Sequence, residues 1–224
     1  MSLKDQKLAI LWDMDGTILD TKACHSYCWE KTLPNYGYEL DKKLFDAHFG
    51  RAARSVLPLY LGFDPDETLS NQILDEYRKL LMSLMPQNSK LVPGVMSWLQ
   101  GYQDHLVPQV VASSATIETI ESVLSTFDLR DYFEHLIAGA KLPAKPEPDV
   151  FLKAARILDY APENCCVIED STAGVKAAKA AGMYCVAVAT TFSRSDLSLA
   201  DAVITDFTVP FTAVMGELGI LNRV

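Results

Sequence analysis

This chain lacks any run of about 18 apolar residues, the length needed to cross a bilayer as a helix. Its first apolar run is shorter than the core of a signal peptide and ends in carboxylates, which predicts a cytoplasmic protein with no membrane partner. Positive charge is scarce too: the formal net charge is −9, which argues against nucleic acid or an anionic membrane surface as partner. That balance leaves small phosphorylated ligands open, because local charge governs those. Five cysteines at irregular spacing do not make a disulfide framework and fit a reducing compartment. Cys24, His25 and Cys28 have no second ligand pair after them, so they read as a helix face rather than a metal site. Internal repeats and low-complexity segments are absent.

What is present is apolar material enough for a sizeable core. Over 224 residues this allows one large domain or a core with a smaller insert. The run Leu8 to Trp12 is too short for a helix and reads as a buried parallel strand. It ends in Asp13-Met14-Asp15-Gly16-Thr17. Residues two apart on an extended chain face the same side, so Asp13 and Asp15 can address one point, and Gly16 permits a sharp turn. A strand followed by a plain Asp-Gly turn is the alternative.

From Asp20 to about Met85 the chain reads as helices and loops with no convincing strand. Asp64 is the expected N-cap of a helix carrying Leu69, Ile73, Tyr77, Leu80 and Leu84 at helical spacing, and Gly37 and Gly62 mark breaks. Beyond Leu91-Val92-Pro93-Gly94, apolar strands alternate with helices. Strands are expected at Gln109 to Ala112, His135 to Ala138, Cys165 to Ile168, Cys185 to Ala189 and Ala202 to Thr205. Helices are expected between them, and a last one from Val209 to Leu218. The alternation predicts an α/β fold, a Rossmann-like parallel sheet with an inserted helical bundle. Residues 1–20 and 88–224 form the expected core, and residues 21–87 the insert.

Polar clusters stand at the strand ends: Asp13 and Asp15, Ser113 and Ser114, Glu169 and Asp170. In an open parallel sheet those ends share one edge, where ligands bind. Four carboxylates in one crevice need compensation, and Mg²⁺ is the natural candidate for an oxygen-only site. Lys145, just before a helix, could neutralise a carboxylate and hold a phosphate oxygen. The plain alternatives are a solvated Lys145 with Lys141 as competitor, a capping Ser113, and an acidic cap on the following helix for Glu169-Asp170.

Four segments in this order resemble the ordered motifs of the haloacid dehalogenase superfamily: Asp13-Met14-Asp15-Gly16-Thr17, Val111-Ala112-Ser113-Ser114, Lys145-Pro146-Glu147-Pro148-Asp149 and Val167-Ile168-Glu169-Asp170-Ser171. The insert is similar to that family's helical cap, and the branch most like this chain holds the sugar-phosphate phosphatases and β-phosphoglucomutases. The resemblance implies Asp13 as nucleophile and Asp15 as general acid/base, with Ser113 and Lys145 holding the phosphoryl group. It implies Mg²⁺ on Asp13, on the Asp15 main-chain carbonyl and on Asp170, with Glu169 close by or bound. Gly16, Thr17, Ser114, His25 and Arg51 are the expected phosphate and substrate contacts; Arg54 reads more safely as a solvated helical residue.

The implied activity is Mg²⁺-dependent hydrolysis of a small phosphorylated metabolite, a sugar phosphate in this branch, through an aspartyl phosphate. The alternative is a phosphosugar mutase built on the same residues. A receiver-like phospho-acceptor module is the third reading, disfavoured because such modules are about half this length and carry no helical insert. A monomer or weak homodimer is expected.

Overall fold

The computed structural model describes residues 8–220. Six strands form one parallel sheet. They are β1 (Ala9–Trp12), β4 (Gln109–Ser113), β5 (His135–Ala138), β6 (Cys165–Glu169), β7 (Tyr184–Val188) and β8 (Ala202–Ile204). Their spatial order is β5-β4-β1-β6-β7-β8. The first strand is thus central, flanked by the strands that carry Ser113 and Glu169.

Both faces are covered, and side-chain alternation divides the core in two. Ile10, Trp12, Val111, Ile168 and Val186 point to one face, where α5 (Val95–Asp104), α6 (Ile117–Thr126) and α9 (Phe211–Glu217) pack through residues such as Trp98, Leu124 and Met215. Ala9, Leu11, Val110, Ala112, Val167 and Cys185 point to the other, against α7 (Asp149–Leu158) and α8 (Thr172–Ala180). All five cysteines are buried and free.

Between β2 (Leu19–Asp20) and β3 (Lys90–Leu91) lies a helical cap: α1 (Lys22–Thr32), a 3₁₀ turn over Leu33–Tyr36, α2 (Lys42–His48), α3 (Ala53–Leu61) and α4 (Glu67–Asn88). Trp29 of α1 stacks on Tyr77 of α4 with ring centroids 3.9 Å apart, and Tyr60 of α3 meets Trp29 edge-on. Two expectations are corrected here. Asp66, not Asp64, caps α4: its backbone is extended and its carboxylate accepts the Leu69 N–H. The stretch read as free of strands opens with β2, which pairs antiparallel with β3, Leu19 opposite Leu91 and Asp20 opposite Lys90. Two-residue strands carry no periodicity, so their pairing exists only in three dimensions. This ribbon is the covalent joint between cap and sheet. Among the described residues no helix is long and apolar enough to cross a membrane.

Candidate active site

Parallel pairing assembles the site. Trp12 sits opposite both Val111 and Ile168, so Asp13, Ser113 and Glu169 emerge together at the sheet's carboxyl edge. Lys145 joins them from the loop before α7. It is 1% exposed, which removes the reading of a solvated loop lysine, whereas Lys141 is exposed. Its ammonium donates to Asp13 Oδ1 at 2.5 Å and Glu169 Oε1 at 2.7 Å. Two of its three N–H donors are thereby used.

Glu169 is saturated by the protein. Its Oε2 accepts from the Asp170 N–H, the Ser171 N–H and the Ser171 hydroxyl at 2.6–2.9 Å. Asp170 is different. Thr17 donates to its Oδ1 at 3.2 Å, but the buried Oδ2 has no hydrogen-bond partner. Gly16, at φ +85°, lets the turn approach this carboxylate: a Cβ there would stand 2.0 Å from Asp170 Oδ2. Gly16 and Thr17, expected as phosphate contacts, are placed against Asp170 and do not line the cavity.

Asp13, Glu169 and Asp170 each bring a carboxylate oxygen within 4.8 Å of the others, with one ammonium among three acids. Burial raises Asp13 to about 8; Lys145 offsets part of this, while Glu169 and Asp15 add to it. Burial, then Glu169 and Asp13, drive Asp170 well above the usual carboxylate range. Lys145 is lowered by burial but raised by its two acids, and the balance is upward, so it stays charged. An excess of buried negative charge, an orphaned carboxylate oxygen and an all-oxygen donor set fit a hard divalent cation.

Asp15 stands apart from this cluster. Its Oδ1 accepts from Thr21 Oγ1 at 2.9 Å and lies 3.1 Å from His25 Nε2. Burial works to raise it, yet His25, Thr21 and Lys145 outweigh burial and hold it below the usual range. His25 Nδ1 lies 2.5 Å from the Tyr77 hydroxyl. Burial keeps that phenol well above its normal pKa, so Tyr77 stays neutral, and its hydrogen bond to Nδ1 fixes the ring with Nε2 toward Asp15. His25 therefore serves Asp15 as well as lining the cleft. Tyr77 was legible only as an apolar helix position; its partner lies 52 residues away and nothing local marks it.

Between sheet edge and cap is a cavity of about 960 Å³, its open mouth included. Asp13, Asp15, Ser113 and Ser114 form its floor, and His25 and Arg51 belong to its cap side. Ser114 Oγ donates to the Gly50 carbonyl at 3.2 Å, and Gly50, at φ +88°, presses on Ser171, where a Cβ would meet that side chain at 2.8 Å. These contacts seat the cap loop on the core. Arg54 is exposed and donates to Asn71, in line with its expected solvated place.

A carboxylate pair and a buried lysine thus stand at the edge of a parallel sheet beside a cleft covered by the helical cap. Residues 10–188 match the family described as haloacid dehalogenase-like hydrolase, and the chain belongs to it. It is 32% identical over 184 residues to the fructose-1-phosphate phosphatase YqaB of Escherichia coli (strain K12), spanning 80% of this chain and 95% of the relative. It is 30% identical over 190 residues to a β-phosphoglucomutase of Bacillus subtilis (strain 168), spanning 80% and 82%. Its fold is similar to that of a Clostridium difficile β-phosphoglucomutase, with a TM-score of 0.86 at 24% identity over 95% of this chain and 97% of that one. The chain is thus an enzyme of the phosphatase kind within this family, and the receiver-like reading is set aside.

Proposed function

We infer that the protein is a Mg²⁺-dependent phosphatase of a small phosphorylated metabolite, with carbohydrate phosphates as the class its relatives suggest. The observation that carries this reading is the pairing of a buried, lysine-bound Asp13 with a separately held Asp15 at the floor of one cleft. Residues 21–87 act as the cap domain and residues 1–20 and 88–224 as the catalytic core.

Asp13 attacks phosphorus in line with the ester oxygen and forms an aspartyl phosphate as the ester bond breaks. Asp15, ionised in the free protein, takes up a proton from solvent as the phosphate dianion enters, gives it to the departing alkoxide, and then takes one from the water that hydrolyses the acyl phosphate. Ser113 and the third N–H of Lys145 hold phosphoryl oxygens. The cap excludes bulk water. Asp13 and Asp170, with the Asp15 main-chain carbonyl, would hold Mg²⁺, and Glu169 would position Lys145 and close the anionic shell. When bound, that cation neutralises charge on the phosphoryl oxygens.

The test is phosphate release from a panel of sugar phosphates. Turnover is expected with Mg²⁺ and not with EDTA, and Asp13→Asn, nearly isosteric but a poor nucleophile, should lose at least about a thousandfold in kcat while keeping its circular dichroism. Full activity in EDTA, or steady turnover by a homogeneous Asp13→Asn preparation, would reject the reading. The similarity to the Bacillus subtilis β-phosphoglucomutase keeps a mutase as the second reading. Fast conversion of β-glucose 1-phosphate to glucose 6-phosphate with a trace of 1,6-bisphosphate, and negligible free phosphate, would establish it instead.

A further inference from the structure

Besides its arginines, the cap side of the cavity holds His25, His48, Tyr60 and Tyr77, all able to exchange hydrogen bonds with a hydroxyl. Two of the four are committed to the floor. Tyr77 is bonded to His25, and the second ring nitrogen of His25 faces Asp15. His48 and Tyr60 have no task in the chemistry of the floor.

His48 ends α2 and is half-buried. Its Nδ1 lies 2.9 Å from the Leu44 carbonyl of the same helix. A carbonyl oxygen only accepts, so in the neutral ring Nδ1 carries the proton and Nε2 the lone pair. The helix's own backbone thus sets the tautomer, and Nε2 is the polar atom left for the cavity, as an acceptor. Tyr60 of α3 is 8% exposed and makes no hydrogen bond among the described residues. Burial raises its phenol and Asp46 adds to this; Arg51 opposes them, and the balance is upward. It therefore stays neutral and can both donate and accept. Asp46 belongs to α2 and Arg51 to the loop after it, so the Tyr60 hydroxyl and His48 share the corner where α2 packs on α3.

An acceptor whose tautomer is fixed cannot be satisfied by a phosphate or carboxylate oxygen, because neither brings a proton. It needs a hydroxyl that donates. A site built to bond a hydroxyl rejects an analogue without one, since its own polar atom is then left unpaired in a closed cleft.

We propose that His48 and Tyr60 form a hydroxyl-reading pair on the cap. Nε2 of His48 accepts from one hydroxyl of the leaving alcohol, the Tyr60 hydroxyl bonds another, and the two contacts choose among phosphate esters that the floor treats alike. The inference rests on the phosphatase reading above and names the residues that give it selectivity for a donor hydroxyl at one particular carbon.

Esters that differ at one hydroxyl test it. Glucose 6-phosphate is compared with its 2-, 3- and 4-deoxy and deoxyfluoro analogues. Ribose 5-phosphate, with its 2- and 3-substituted analogues, repeats the contrast on a shorter alcohol. Fluorine fills the place of a hydroxyl but has no proton to give. At one carbon both replacements should lower kcat/KM by about tenfold or more. His48→Asn retains a side-chain N–H for the Leu44 carbonyl and removes Nε2. It should bring the hydroxyl-to-fluoro ratio at that carbon toward one and leave the other carbons as they were. His48→Gln, whose amide oxygen can stand in for Nε2, should keep part of the ratio. Tyr60→Phe should lower the ratio at a different carbon. Assays at pH 8 keep the imidazole neutral. Should His48→Asn fail to fold, the deoxyfluoro series on the parent protein carries the test.

Equal kcat/KM across both series, a fluoro analogue as good as the hydroxyl at every carbon, or a ratio untouched by His48→Asn would each overturn the proposal while leaving phosphate release intact. No release from any sugar phosphate in the presence of Mg²⁺ would sink the phosphatase reading and this one with it.

Discussion

The floor and the roof of the cleft are built on opposite plans. On the floor every charged group but one oxygen is answered: Lys145 by two acids, Glu169 by four donors, Asp15 by Thr21 and His25. On the roof apolar and aromatic side chains are interspersed with His25, His48 and arginines, and the buried Nε of Arg51 has no hydrogen-bond partner. A floor that is nearly saturated can serve many substrates unchanged, because its groups are fixed by one another before anything binds.

The contrast breaks most visibly at Lys145. Lys145→Met leaves Asp13 and Glu169 as buried neighbouring carboxylates, and stability in EDTA should fall by about 3–5 kcal/mol, read from the urea midpoint. A midpoint unchanged from the parent would mean that the floor is not held by charge.

A smaller effect is expected from pH. Asp13 is raised in the folded protein from 3.8 to about 8, so between those values the folded state holds a proton that the unfolded state has lost. The contribution is therefore fully present below the unfolded value and is lost as pH rises through the folded one. The metal-free Tm should decline from pH 5 toward pH 8, and Mg²⁺ should raise Tm more at pH 8 than at pH 5. Asp15, held below its ordinary value, works in the other direction and only in acid. An equal Mg²⁺ increment at both pH values would contradict the shared-charge account of the floor.

The smallest expected change sharpens the boundary between the two plans. Tyr77→Phe keeps the ring stacked on Trp29 but removes the hydroxyl that is hydrogen-bonded to His25 Nδ1. The loss of one hydrogen bond should lower kcat several-fold, up to about tenfold, with little change in KM, because the effect passes through His25 to Asp15 rather than to substrate. A rise in KM at constant kcat would place Tyr77 with the roof instead.

The sheet was legible because each core strand is a contiguous apolar run that must be buried on both faces, and because each ends in chemistry that no buried strand can tolerate in its middle. The edges of α7 follow from Pro148 and from an apolar stripe at helical spacing. The β2–β3 ribbon was not legible, since two residues have no period. The cap of α4 was misplaced by two residues because Asp64 and Asp66 offer the same side chain, and only the backbone's extended turn at Asp66 chooses between them.

Sequence alone placed Asp13, Asp15, Glu169 and Asp170 at strand ends on one edge of a parallel sheet; in the structure Asp13, Glu169 and Asp170 meet, while Asp15 is held separately by Thr21 and His25. Sequence could not determine which of those groups is already satisfied. That Glu169 is consumed by Lys145 and Ser171 while Asp170 Oδ2 is free, that Lys145 rather than Lys141 is inside, and that Arg51 looks into a wall without acids were decided by tertiary structure. Hydrogen bonds and ion pairs are satisfied across space by whichever partner comes within about 3 Å, and the partners here come from segments up to 174 positions apart.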